Sequence, residues 1–263
     1  LPCAQAAATI AAIDANVVDH QKVLIDAGVI PPLVAMLKGG SAAAQASAAR
    51  GLANAAAYDK VHGQNAIASA GAVPILLNLL ESGKAQMPAA HALANLAKNN
   101  SEIQVDITSA GGIAPLLSLL NGRNTDAQVQ AAAALSELAR DNIDTQAAVA
   151  KAGGIGPLLS LVTSRNPAAQ AHGMGALAQL AHHNRENQDT IARMGGLRAI
   201  VNLLDLNGDR NVQAHAACAL MEISRANPPI QTSIVDNGGI SQLAALIKNS
   251  TNAAVKAQVA GAL

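Results

Sequence analysis

Tryptophan and phenylalanine are missing from this chain of 263 residues, and Tyr58 is its single tyrosine. Without rings there is no platform on which nucleotide bases can stack. Lys and Arg number 17 and Asp and Glu also number 17, so no net charge draws the chain toward a phosphate backbone. Together these absences exclude a conventional nucleic-acid-binding surface. Cysteine is scarce too. Cys3 and Cys218 stand far apart in the sequence, which excludes a disulfide-stapled secreted scaffold and fits a reducing compartment. The longest apolar stretches, 72–77 and 113–117, fall far short of the ~18 residues a membrane-spanning helix needs.

Alanine is what the chain has in abundance, at 61 residues, within a hydrophobic fraction of 51%. Alanine is the strongest helix former, and a core of Ala, Leu, Ile and Val lets helices approach closely. The second dominant feature is a repeat. Turn glycines stand at Gly28, Gly71, Gly111, Gly153, Gly195 and Gly238, separated by 43, 40, 42, 42 and 43 residues. A fixed period of this length marks a solenoid, in which each repeat buries its apolar face only by stacking on its neighbours. The expected organisation is one array over 1–263. It has full repeats at 17–59, 60–100, 101–142, 143–184 and 185–227, a partial one at 1–16 and a truncated one at 228–263. Both ends fall inside a repeat and the chain starts at Leu1, so the expectation is a fragment of a longer array that self-associates through uncapped ends. Targeting signals or a lipid tether would then lie outside it, and the expected compartment is the cytoplasm or the nucleus.

Residues 101–142 show one repeat in full. Ser101 and Glu102 read as the start of a short helix, Ile103–Ser109, which Gly111 and Gly112 end in a sharp turn. Pro115 sits in the first turn of a second helix, where its missing N–H costs nothing. Leu116, Leu117, Leu119 and Leu120 form its buried side. After a polar loop, 121–126, the third helix runs over 127–140 with Val129, Ala132, Leu135, Leu138 and Ala139 at helical spacing. The third helices repeat a leucine at Leu52, Leu93, Leu135, Leu177, Leu220 and Leu263. A glutamine precedes each turn glycine by seven residues: Gln21, Gln64, Gln104, Gln146, Gln188 and Gln231. Its expected role is to satisfy backbone groups at the repeat junctions.

The recurring Ala-Gly-x-Ile-x-Pro-Leu-Leu string followed by Ala-Leu-x-x-Leu-Ala resembles the armadillo repeat, and the resemblance covers essentially the whole chain. The alanine-rich flavour is more similar to vacuolar armadillo proteins and plant U-box ligases than to nuclear-import receptors. The resemblance implies an all-α, right-handed superhelix of three-helix repeats. Its third helices would line a concave groove that holds an extended peptide or a partner protein. In import receptors a Trp and an Asn four residues later line that groove. The Trp column here reads Arg50, His91, Ala133, Gly175, Cys218 and Gly261, and the Asn column reads Asn54, Asn95, Glu137, Gln179 and Glu222. Without indoles the clamp on lysine stems is lost. Flanking columns add Ser47, Pro88, Gln130, His172, His215 and Gln258 on one side, and Ala57, Lys98, Arg140, His182 and Arg225 on the other. The expected groove residues are Arg50, Asn54, His91, Asn95, Lys98, Ala133, Glu137, His172, Gly175, Gln179, His215 and Glu222. They form a mixed-charge line, basic toward the N-terminus, with a more acidic line at Glu137 and Glu222 and a shallow floor from Ala133 onward.

Several local patterns imitate chemistry. Gly173-Met174-Gly175 imitates a nucleotide loop but lies inside a helix with no preceding strand. Asp205-Leu206-Asn207-Gly208-Asp209 imitates a calcium loop, yet Ala216 stands where the closing Glu belongs. His172 and His215 are two histidines, short of the three or four ligands zinc takes. Cys218 has no activating base beside it in the sequence pattern. No cofactor, metal or catalytic constellation is expected. The expected function is a protein-binding scaffold or adaptor. The alternatives are the substrate-recognition arm of a U-box ubiquitin ligase and a structural subunit of a larger assembly.

Overall fold

The computed structural model describes residues 25–58, 60–250 and 253–262. The expectations for 1–16, Cys3, Gln21, Leu263 and the side chain of Gln258 lie outside the described residues. Every regular element among the described residues is helical. The chain divides into two compact units, Leu1–Leu138 and Ala139–Leu263.

In the first unit the helices are α1 (Ile30–Gly39), α2 (Ala42–Tyr58), a π turn (Lys60–Asn65) continuing into α3 (Ala66–Ser69), α4 (Ala72–Glu81), α5 (Gln86–Ala97), α6 (Ser101–Ser109), α7 (Ile113–Leu120) and α8 (Thr125–Ala139). In the second they are α9 (Ile143–Lys151), α10 (Ile155–Val162), α11 (Pro167–Ala181), α12 (Arg185–Arg193), α13 (Gly196–Val201) with a 3-10 turn at Asn202–Leu204, α14 (Arg210–Ser224), α15 (Pro228–Asp236), α16 (Gly239–Asn249) and α17 (Ala253–Ala262). The order is short helix, second helix, long helix in each repeat from residue 60 onward, as the spacing predicts.

The long helices carry the packing. In the first unit α2 lies against α5; in the second, α11 lies against α14 and α14 against α17. Each also packs on the second helix of its own repeat, as α1 does with α2 and α10 with α11. Leu52, Leu93, Leu135, Leu177 and Leu220 are all fully or almost fully buried. Around them Ala49, Ala53, Ala90 and Ala176 are buried as well, and these small side chains permit helix spacings near the ~8–10 Å of close packing. In the repeat at 101–142 the four leucines of α7 and the five apolar positions of α8 are buried as expected.

The turn glycines have a conformational reason. Gly111 and Gly195 have φ of 82° and 80°, in the left-handed region that costs a side chain ~1 kcal/mol or more, and the other four turn glycines match them. The glycine after the turn has a different reason. A Cβ on Gly196 would stand 2.7 Å from Ile191 Cγ2 and 3.0 Å from Leu159 Cδ2, so the residue is kept small by its own short helix and by the preceding repeat.

The start of the short helices differs from expectation. Ser101 is the first helical residue, and the cap is Asn100, whose Oδ1 accepts from Ile103 N at 3.4 Å. Asn142 and Asn184 cap α9 and α12 in the same way. Each follows a single left-handed residue, Asn99, Asp141 or His183, that reverses the chain out of the long helix. Where this column holds Lys60 in place of asparagine, the short helix opens as a π turn.

Candidate functional site

The glutamines before the turn glycines hold the junctions together, as expected. Gln188 is buried, and its Nε2 donates to Ala181 O at 3.1 Å, Glu222 O at 3.2 Å and Arg225 O at 3.2 Å. It therefore ties its short helix to the long helices before and after it. Gln64 donates to Asn95 O and Lys98 O, Gln104 to Ala97 O, Gln146 to Ala139 O and Gln231 to Ser224 O. A second glutamine column escaped the sequence reading. Gln45, Gln86, Gln128, Gln170 and Gln213 stand near the start of the long helices and donate to carbonyls at the end of the second helix or in the loop. Its regular recurrence was the available signal.

On the long helices of the first unit, Arg50 is exposed and its Nη2 donates to Ser47 Oγ at 3.1 Å. Asn54 is half-buried. His91 and Asn95 are half-buried and coupled: Asn95 Nδ2 donates to Ala53 O at 2.9 Å and lies 3.3 Å from His91 Nε2. The amide donor of Asn95 is therefore committed to the backbone of α2. That geometry makes His91 Nε2 an acceptor and leaves its proton on Nδ1. Burial holds the His91 pKa below its ordinary value. Lys98 is exposed, just past the end of α5, while Ala133 and Glu137 are half-buried on α8.

On the long helices of the second unit, Gly175 is partly open, and a Cβ built there meets nothing within 4 Å. Close helix approach does not require glycine at this position. Gly173 is the contrast, since its Cβ would stand 3.0 Å from both Leu158 O and Leu161 Cβ. His172 is exposed, and its pKa is lowered by desolvation first and by His215 second. His215 is half-buried with Nδ1 2.8 Å from Asn211 O. Gln179 is half-buried.

Glu222 is the most enclosed of the expected groove residues, at 8% exposure. Its Oε1 accepts from Arg225 Nη2 at 2.8 Å, and its Oε2 accepts from Arg225 Nε at 3.0 Å and from His182 Nδ1 at 2.8 Å. The other nitrogen of His182 lies 3.6 Å from Asp141 Oδ1. Burial pushes the Glu222 carboxyl up, but the hydrogen bonds from Arg225 and His182 outweigh it, and the net shift is downward. The acidic line expected at Glu137 and Glu222 is thus closed at Glu222, because both carboxylate oxygens are already taken. Asp141 was not singled out from the sequence, and its place beside His182 comes from the left-handed turn it occupies.

Cys218 is half-buried. Desolvation, followed by the charge of Glu222, raises its thiol pKa, so the thiolate is disfavoured at neutral pH. The 205–209 segment is a turn and a cap: Asp205 Oδ1 accepts from Asn207 N, and Asp209 Oδ1 accepts from Asn211 N and Val212 N. Among the described residues no group of three or more metal-ligating side chains converges, and no single helix is long and apolar enough to cross a membrane.

Stacked three-helix repeats with left-handed turn glycines are the geometry that comparison with known proteins meets. The Armadillo/beta-catenin-like repeat profile matches residues 18–57, 100–140 and 184–225. An engineered protein of known crystal structure is 34% identical with a TM-score of 0.82, and the match covers 89% of this chain and 94% of that one. The chain belongs to the armadillo repeat family. The designed armadillo repeat protein YIII(Dq)4CqI is 26% identical with a TM-score of 0.81, over 89% of this chain and 98% of that one. A second designed armadillo protein, YIII(Dq.V1)4CPAF, solved in complex with the peptide (KR)4, is 25% identical with a TM-score of 0.79, over 89% of this chain and 97% of that one. Against the curated proteins no match is found. As an armadillo protein the chain departs from the import-receptor pattern throughout the Trp column, where Arg50, His91, Ala133, Gly175, Cys218 and Gly261 stand.

Proposed function

We propose that this armadillo array is a protein-binding scaffold whose long helices hold an extended partner segment. The observation that carries the reading is the floor at Gly175, where glycine leaves open space instead of serving helix packing. A partner side chain can fill that space, and His172, Gln179 and His215 stand at neighbouring columns to meet its polar atoms. In the first unit, Arg50 and Lys98 offer exposed charge on the equivalent face. The solved complex of a designed armadillo protein with the peptide (KR)4 supports peptide binding as the mode. The role is one of holding and bringing together, without a catalytic step.

Affinity capture from the native source tests it, with the wild-type chain beside an Arg50→Glu, Gly175→Leu variant. Both positions are open, so the variant is expected to keep its melting temperature and lose one set of partners. Retention of every partner by a folded variant contradicts the reading.

A further inference from the structure

Charge in this chain is sorted by position. Acidic and basic side chains balance at 17 each, and the long helices among the described residues hold three of each sign, Asp126, Glu137 and Glu222 against Arg50, Arg210 and Lys256, with Lys98, Arg140 and Arg225 one residue past their ends. Glu222 is spent on Arg225 and His182. The short helices lean the other way, with Glu102, Asp106, Asp144, Glu186, Asp189 and Asp236 against Lys60, Lys151, Arg185 and Arg193. The sorting is sharpest where α2 packs on α5. Neither helix contains an Asp or a Glu, and their groove columns present Arg50, His91 and, one residue beyond α5, Lys98. Arg50 and Lys98 are exposed, and among the described residues neither has a carboxylate partner. The nearest long-helix carboxylate in this unit by register is Glu137, half-buried on α8.

We propose that the α2–α5 face takes an extended segment rich in Asp and Glu, with Arg50 and Lys98 as its two anchors. The proposal rests on the groove reading above and supplies the chemistry of the partner. Guanidinium geometry suits Arg50 to a carboxylate, and its bond to Ser47 holds the fork in place. His91, with Nε2 turned toward Asn95, has its Nδ1 proton left to donate to a carboxylate or a peptide carbonyl. Spacing agrees. Adjacent long helices are ~8–10 Å apart and two helical turns rise ~10 Å, so the anchors stand roughly 14 Å apart, the reach of about four extended residues. The preferred sign is opposite to that of the (KR)4 peptide in the designed relative.

Fluorescence anisotropy on the whole chain at about pH 7.5 tests this, with labelled (ED)4, (KR)4 and (SN)4 peptides as probes. The expected result is (ED)4 binding roughly tenfold tighter than (KR)4. It should weaken about tenfold in an Arg50→Glu, Lys98→Glu variant of unchanged melting temperature, and weaken again as salt is raised. Tighter binding of (KR)4 that the variant alters overturns the acidic preference and leaves the groove reading standing. Binding of (ED)4 that ignores both substitutions overturns the assigned face. No binding by any of the three peptides overturns the acidic preference, and the groove reading is then decided by the capture experiment.

Discussion

The side-chain amide of Asn100 donates to Gln64 Oε1 at 3.0 Å, joining the cap of one short helix to the junction glutamine of the repeat before it. The same contact recurs from Asn184 to Gln146 at 3.2 Å and from Asn227 to Gln188 at 3.1 Å. Each glutamine thus receives on its oxygen and donates through its nitrogen, and a buried polar seam runs beside the apolar core. With so little aromatic bulk to fix the stacking of repeats, this seam supplies specific register through buried amides paired across repeats, with Asn227 Oδ1 its one unpartnered oxygen among the described residues.

Removing one member of the seam should therefore be costly. Gln188→Ala leaves Ala181 O, Glu222 O and Arg225 O without their shared side-chain donor and Asn227 Nδ2 without one of its acceptors. A loss of about 2–3 kcal/mol is expected from urea unfolding, the scale of stranded buried polar groups. A loss below about 0.5 kcal/mol would show that water replaces the side chain.

The glycines separate into two classes that substitution can distinguish. Gly196→Ala drives a Cβ into Ile191 and Leu159 and should destabilise by about 1–3 kcal/mol. Gly175→Ala adds a methyl in open space within α11 and should stabilise by about 0.5–1 kcal/mol, because alanine is the better helix former. Thermal melts of the two variants should move in opposite directions.

Acid should destabilise the fold in two stages. The pKa of His91 is lowered by burial, and that of His172 by burial and then by His215. A lowered histidine pKa means the folded chain binds fewer protons than the unfolded one. That contribution is complete above about pH 6.5 and is lost as pH falls below it. Glu222 is also lowered overall, so its contribution is present above about pH 4.5 and disappears on further acidification. The melting temperature should fall from about pH 7.5 to 5.5, and a His91→Asn, His172→Asn variant should flatten that limb. A flat wild-type profile would contradict the assigned directions.

Much of this was legible in the sequence because period and composition are local. The turn glycines, the leucines of the long helices and the role of the junction glutamines were all readable from spacing. What escaped were partners brought together across repeats. Gln45 and its equivalents look like ordinary polar residues until the end of the second helix folds back onto them. Glu222 reads as an available negative charge, and only the approach of His182 from the neighbouring long helix shows that its oxygens are occupied. Ser101 and Glu102 drew attention as start signals, while Asn100 beside them makes the cap. The open space at Gly175 could not be read either, because a missing side chain in a sequence does not show what surrounds it.

Glu222 offers a test of the cross-repeat link. Replacing it with Ala removes the acceptor of both Arg225 and His182 from a largely buried position and should cost about 1–3 kcal/mol. Arg225→Ala leaves His182 as a remaining partner and should cost less. Equal losses would contradict the ordering.

Site-specific photo-crosslinking in extracts of the native source tests the central claim most directly. A benzophenone amino acid would replace Arg50 or Gly175 on the long helices, or Val105 or Ile143 on the short ones, all accessible positions in the fold. Binding along the long helices predicts partner adducts from positions 50 and 175 and none from 105 and 143. Adducts confined to positions 105 and 143 would place the partner on the short helices and contradict it.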